Sequence, residues 1–211
     1  MYNPQIKASQ ITNLTDARYF AAWGVEWLGF GLEPGQDHVV APAQMAAIKE
    51  WVEGPKMVGE FSGLDLELIR QSVDLLGLDA VEVSRFANLS NLQISIPVIM
   101  NIVMEMHLEP EALVDLLKSN DLVEYFILDF EKNASINDFR EKFSVNWLSG
   151  LTKQFPIFIR TGLTTYSLKE ITEDIKPLGI SLAGGEEEKV GLKSFDELDE
   201  IFEALEPLRM V

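Results

Sequence analysis

The chain has 211 residues, enough for a large core, and its hydrophobic fraction of 47% is ordinary for a globular protein. It carries 34 acidic residues against 17 basic ones, a formal net charge of -17, which argues against nucleic acid or an anionic membrane surface as partner, since both need clustered Lys and Arg. The absence of cysteine excludes disulfides, thiolate nucleophiles and cysteine-based metal sites, and no metal or other cofactor is expected.

Short apolar runs alternate with longer amphipathic ones. Residues 6–11 form the first run, and Asn13 then caps a helix that continues through Ala22 to a stop at Gly24. Residues 27–32 are the second strand. A loop with Pro34-Gly35 leads to Pro42, in the first turn of a helix over 43–52. The third strand is 56–61, followed by helical apolar spacing over 64–76 that ends at Gly77. After the fourth strand, 80–83, the weak pattern of 85–93 predicts a short or irregular helix. Next come a strand at 97–103, with Pro97 tolerated at its start, and a helix at 110–118. Strand 125–129, helix 139–151, strand 157–160, helix 167–175 and strand 180–183 continue the series. Ser194 caps the last helix, 195–205, with Glu197 placed for a capping box.

Eight apolar runs, each followed by a helical segment, predict a single-domain (β/α)8 TIM barrel over residues 1–211. The strands are nearly continuous in apolar residues, as parallel strands buried on both faces are. An open doubly wound sheet is the competitor, but its first turn often carries a glycine-rich fingerprint, whereas Ser9-Gln10-Ile11-Thr12-Asn13 has no glycine. The chain start has no charged segment followed by a long apolar stretch, and no apolar run reaches the roughly 20 residues of a membrane span. A cytoplasmic setting and no membrane partner are expected.

In such a barrel the site lies where the strands end. The polar residues there are Lys7 and Ser9 on the first strand, Glu60 on the third, Glu82 and Ser84 on the fourth, Asn101 on the fifth, Asp129 on the sixth, and Arg160 and Thr161 on the seventh. Together they suggest a polar pocket at the mouth. Two glycine-bearing turns, Thr161-Gly162-Leu163 and Ala183-Gly184-Gly185, follow the seventh and eighth strands, where such barrels often cradle phosphate on backbone N–H groups. Glu186-Glu187-Glu188 comes next and is read as a solvated loop face.

These residues carry a resemblance. Lys7-Ala8-Ser9-Gln10-Ile11-Thr12-Asn13-Leu14-Thr15-Asp16-Ala17 is similar to the Lys-Ile-Cys-Gly-Ile-Thr and Asn-x-x-Asp-Ala pattern of the phosphoribosylanthranilate isomerase family. The similarity continues through Gly24-Val25, Leu28-Gly29-Phe30, Val40-Ala41-Pro42, Val58-Gly59, the segment from Gly77 to Val83, Leu128-Asp129 and Gly162-Leu163, to Gly185, Glu187, Gly191 and Lys193. The resemblance implies a (β/α)8 barrel and an Amadori rearrangement of a phosphoribosyl amine in tryptophan biosynthesis. In that reaction a carboxylic acid protonates the ring oxygen and a cysteine removes the proton from the adjacent carbon. By position Asp129 is the acid, and Ser9 stands where the family has cysteine. His38 stands at the family's substrate-binding arginine, Ser84 at a histidine, and Gln10 at a glycine. The family's glycine-rich loop after the sixth strand is replaced by Glu131-Lys132-Asn133-Ala134-Ser135, and its Ala-Gly-Gly-Leu by Arg160-Thr161-Gly162-Leu163.

A serine hydroxyl is a far weaker acid than a thiol and needs a partner base, and the sequence places neither His38 nor His107 beside Ser9. One reading is a divergent isomerase of a phosphorylated sugar-like or other anionic ligand. Asp129 and Ser9 are then the catalytic positions, with Glu60 or Glu82 as replacement base. Lys7, Glu82, Ser84, Arg160, Gly162, Gly184 and Gly185 are the ligand-binding candidates. Another reading is a catalytically inactive barrel that binds a small anion or a protein partner. A different reaction in the remodelled pocket is a third. The protein is expected to be a monomer or homodimer.

Overall fold

The computed structural model describes residues 2–132, 136–183, 187–189, 192–193 and 195–209. Eight parallel strands close into a barrel in sequence order: β1 (Gln5–Ser9), β2 (Trp27–Gly31), β3 (Lys56–Glu60), β4 (Ala80–Ser84), β5 (Val98–Val103), β6 (Tyr125–Asp129), β7 (Ile157–Arg160) and β8 (Gly179–Ala183). β1 pairs with both β2 and β8, so the barrel exposes no strand edge. The helices are α1 (Leu14–Ala22), α2 (Pro42–Glu50), α3 (Leu66–Leu76), α4 (Pro110–Lys118), α5 (Val145–Thr152), α6 (Thr165–Glu170, continued by a π turn over Ile171–Ile175) and α7 (Asp196–Arg209). The weak stretch after β4 is a single 3-10 turn, Leu89–Asn91.

Local chemistry sets the helix boundaries. The Asn13 side chain accepts from Asp16 N at 2.9 Å and starts α1. Asp65 accepts from Leu68 N at 3.0 Å, so α3 starts at Leu66 rather than at Leu64, and Gly77 ends it with φ 55. α5 is shorter than the 139–151 expected. Ser144 caps it by accepting from Trp147 N, while Ile136–Phe139 forms a separate 3-10 turn that buries Phe139. α7 runs past Leu205 to Arg209, whose guanidinium donates to Trp23 O and Gly24 O and pairs with Glu26, tying the last helix to the end of the first. Glu187–Lys189 pairs antiparallel with Leu192–Lys193 as a small hairpin (β9 and β10), so most of the acidic run belongs to a strand rather than a loop. Ser194 lies outside the described residues. Among the described residues no helix is long and apolar enough to cross a membrane.

The core has two layers of different origin. The larger cluster lies between barrel and helices. A second, smaller cluster fills the barrel itself: Trp27, Val58, Ala80, Ile99, Ile127 and Phe158, all buried. This apolar plug is the floor on which the site stands.

Candidate active site

Alternation along the strands builds the site. Two residues beyond Val58, Ala80, Ile99, Ile127 and Phe158, on the same inward face, stand Glu60, Glu82, Asn101, Asp129 and Arg160. β1 adds Lys7 and Ser9, and β8 adds Ser181. A dry apolar layer is therefore capped by a layer of charge.

Lys7 is 0% exposed and has three N–H groups and three partners. Its Nζ donates to Ser9 Oγ at 2.6 Å and to Glu60 Oε1 at 2.5 Å, and lies 2.7 Å from Glu82 Oε2. Arg160 reaches across from β7. Its Nε donates to Ser181 Oγ at 3.1 Å, and its Nη2 donates to Ser9 Oγ at 2.7 Å and Ser181 Oγ at 2.9 Å. Its Nη1 donates to Asp129 Oδ2 at 3.3 Å, and Nη2 lies 3.5 Å from Glu82 Oε1. Asp129 also accepts from the backbone N–H of Glu131 and Lys132, at 3.1 and 3.2 Å. Asn101 Nδ2 donates to Glu82 Oε1 at 2.9 Å, while Asn101 Oδ1 is buried without a partner.

The electrostatics follow from this packing. Burial alone would raise the Glu82 carboxyl, but Lys7 and Arg160, helped by hydrogen bonds from Lys7 and Asn101, outweigh it and hold it at about 2. Burial opposes the charge on Arg160, yet Glu82, Asp129, Glu60 and Glu131 hold its guanidinium above the ordinary value. Two backbone features make room for the network. A Cβ on Gly29 would overlap Glu60 Oε1 and stand 2.8 Å from Lys7 Nζ. Gln10, at the family's glycine position, adopts φ 59 and donates its N–H to Glu60 Oε2 at 3.1 Å.

The candidates named from sequence separate into those in the network and those outside it. Lys7, Ser9, Glu60, Glu82, Asn101, Asp129 and Arg160 share the one network. Ser84 donates to Ser62 O at 2.7 Å and so faces the β3 loop. Thr161 is buried and accepts from Ile136 N. Gly162 is exposed, with open space where a Cβ would be. Gly184 and Gly185 lie outside the described residues. His38 and His107 are both exposed, and no histidine contacts Ser9 among the described residues. Sequence reasoning missed Ser181. Its signal was available: a lone hydroxyl in an otherwise apolar strand, two residues after Gly179 on the inward face.

A family model described as N-(5'-phosphoribosyl)anthranilate (PRA) isomerase matches residues 6–204. The chain belongs to the phosphoribosylanthranilate isomerase family. Comparison with curated protein sequences gives no match. Among solved structures, phosphoribosyl anthranilate isomerase from Thermus thermophilus is 24% identical, with TM-score 0.74, covering 97% of this chain and 100% of that one. The Thermotoga maritima enzyme is 17% identical, with TM-score 0.77 and coverage of 97% and 99%. A third, solved in complex with reduced 1-(o-carboxyphenylamino)-1-deoxyribulose 5-phosphate, is 18% identical, with TM-score 0.75 and the same coverage. These structural likenesses establish the closed barrel, and the family membership rests on the family model.

In the light of the family pattern, the departures form one unit. Ser9 and Arg160, the two residues that the resemblance sets apart from the family's pattern, are bonded to each other, and Arg160 also bonds to Asp129. One long side chain thus joins Ser9 on β1 to Asp129 on β6.

Proposed function

We propose that the barrel mouth takes a small phosphorylated, sugar-like ligand, and that this family member does not run the Amadori rearrangement with residue 9 as base. The observation that carries this reading is the environment of Ser9. Its Oγ accepts from Lys7 and Arg160, and among the described residues its remaining hydrogen-bond neighbour is Ser181 Oγ at 3.4 Å. A serine acts as a base or nucleophile only when a partner takes its proton. Both charged neighbours here are cations, which have no lone pair to offer. The family's chemistry therefore has its acid position, Asp129, and no working base opposite it. Ligand binding remains compatible with the fold: the reduced deoxyribulose 5-phosphate compound is bound by a protein of the same barrel fold, and the exposed Gly162 turn supports a phosphate at the β7 end. A cytoplasmic monomer or homodimer goes with this reading.

A second reading, a divergent isomerase with a carboxylate base, has one observation in its favour. Glu82 is held too low to accept a proton near neutral pH. Glu60, with 13% of its side chain exposed, is the carboxylate of the Lys7 pair more open to the mouth. The test combines turnover and binding. Purified protein is given N-(5'-phosphoribosyl)anthranilate and followed by loss of anthranilate-type fluorescence, and its melting temperature is measured with the reduced deoxyribulose 5-phosphate compound. No turnover with a melting shift supports the proposal. Turnover abolished by Glu60→Gln supports the second reading, and neither turnover nor shift overturns both.

A further inference from the structure

We infer that the floor of the mouth recognises a protonated amine on its ligand rather than a carboxylate, which makes an amino sugar the class it selects. The inference rests on the mouth being a ligand site, as proposed above, and goes further by naming the group that faces the floor.

The argument is a count of donors, acceptors and charges. Lys7 has three N–H groups: Ser9 and Glu60 accept two of them, and Glu82 Oε2 stands at ion-pair distance, 2.7 Å. Arg160 turns all three of its nitrogens into the network, toward Ser181, Asp129 and Ser9. On the rim, Arg85 is held by Glu105 at 2.6 Å. Lys7, Arg160 and Arg85 are thus engaged by protein acceptors, and a carboxylate arriving at the floor would compete with these acceptors for them. Acceptors, by contrast, are left over. Asn101 Oδ1 is buried and unpartnered, and its orientation is fixed because its Nδ2 must face Glu82 Oε1. The side chain of Glu60, two strands away on β3, is more exposed than the nearly buried ones of Lys7, Glu82, Asp129 and Arg160. The charges point the same way. Two cations, Lys7 and Arg160, face the carboxylates of Glu60, Glu82 and Asp129, and Glu131 also acts on Arg160, leaving an excess of negative charge in a poorly solvated layer.

A group that brings hydrogen-bond donors and a positive charge satisfies both counts. A hydroxyl satisfies the first alone, and a carboxylate satisfies neither. One excess unit charge within a few ångströms is worth at least about tenfold in affinity even at an effective dielectric of roughly 20.

The test uses three ligands with the same phosphate and carbon skeleton: D-glucosamine 6-phosphate, D-glucose 6-phosphate and 6-phospho-D-gluconate. Each is titrated calorimetrically into the full chain near neutral pH. The expected order is glucosamine 6-phosphate tightest, by about tenfold or more over glucose 6-phosphate, with phosphogluconate weakest. In Glu60→Gln, which removes the more exposed carboxylate of the Lys7 pairs, the amine preference is expected to shrink to within about twofold, provided that circular dichroism shows the fold retained. Phosphogluconate binding as well as the amine overturns the inference, and so does an unchanged ratio in a folded Glu60→Gln protein. If none of the three binds, unphosphorylated glucosamine and glucuronate separate the cases. Binding of glucosamine alone keeps the inference and removes the phosphorylated-ligand reading, whereas binding of neither removes both.

Discussion

Replacing Arg160 by Met removes the cation that joins Ser9 to Asp129 while keeping an unbranched side chain. The loss leaves Lys7 alone against Glu60, Glu82 and Asp129 inside a layer sealed below by the apolar plug. Breaking a buried ion pair by deleting one partner costs about 3–5 kcal/mol, because the other partner stays buried without compensation. An independent figure comes from Glu82. Carrying its carboxyl from an ordinary 4.5 to about 2 stabilises the ionised folded state by roughly 3 kcal/mol, a share of which belongs to Arg160. The sign can be checked through pH. A carboxyl depressed in the folded state contributes stability that is complete above its unfolded value and is lost as pH falls toward the folded value. Wild type should therefore lose this contribution between about pH 4.5 and pH 2. In Arg160→Met the Glu82 carboxyl rises, so the penalty is largest near neutral pH and narrows as the solution is acidified through the window from about pH 4.5 to pH 2. Urea unfolding followed by tryptophan fluorescence at several pH values measures both effects. A cost below about 1 kcal/mol near neutral pH, or one that does not change with pH, would refute the reasoning.

Three further perturbations follow from the same geometry. Gly29→Ala drives a methyl into the Lys7–Glu60 pair and should cost at least about 2 kcal/mol of unfolding free energy, although the backbone there is unstrained; a cost under about 0.5 kcal/mol would show that the pair moves aside freely. Gln10→Gly relieves a left-handed backbone at a non-glycine residue and should be neutral or stabilising by up to about 1 kcal/mol, so clear destabilisation would show that the Gln10 side chain has a structural role. Ser9→Cys creates the only thiol in the chain, flanked by Lys7 and Arg160, and its thiolate absorbance should titrate below the roughly 8.5 of a free cysteine; an unshifted or raised value would mean that the two cations do not act on this position.

The barrel was legible because its signal is periodic. Eight apolar runs separated by capped helices leave few topologies, and the weak stretch after the fourth strand, read as a short or irregular helix, is a single 3-10 turn. What was misread were local competitions. Ser144 starts α5 later than the apolar spacing suggests, because its hydroxyl offers the Trp147 N–H a cap that no apolar count registers. The floor of the site was legible as a set of strand-end polar residues, and the i, i+2 rule puts most of them on one face. Their pairing was not legible. Nothing in the spacing of Lys7 and Arg160 tells that both converge on Ser9, since that depends on side-chain reach across the barrel from β1 and β7. Ser181 was missed because a single hydroxyl in an apolar strand has little weight until Arg160 is seen to need an acceptor there. Gln10 shows the reverse: its departure from glycine was visible, but the use of its N–H to hold Glu60 required coordinates.

The central claim is that Ser9, held by two cations, cannot serve as the base of the family's reaction. The most direct measurement is kcat/KM of the purified chain with N-(5'-phosphoribosyl)anthranilate, side by side with the Thermotoga maritima enzyme. A missing general base is worth about 10²–10⁴ in rate, so activity at least 10²-fold below that enzyme, or undetectable, is the result expected. A value within about tenfold of it would contradict the account.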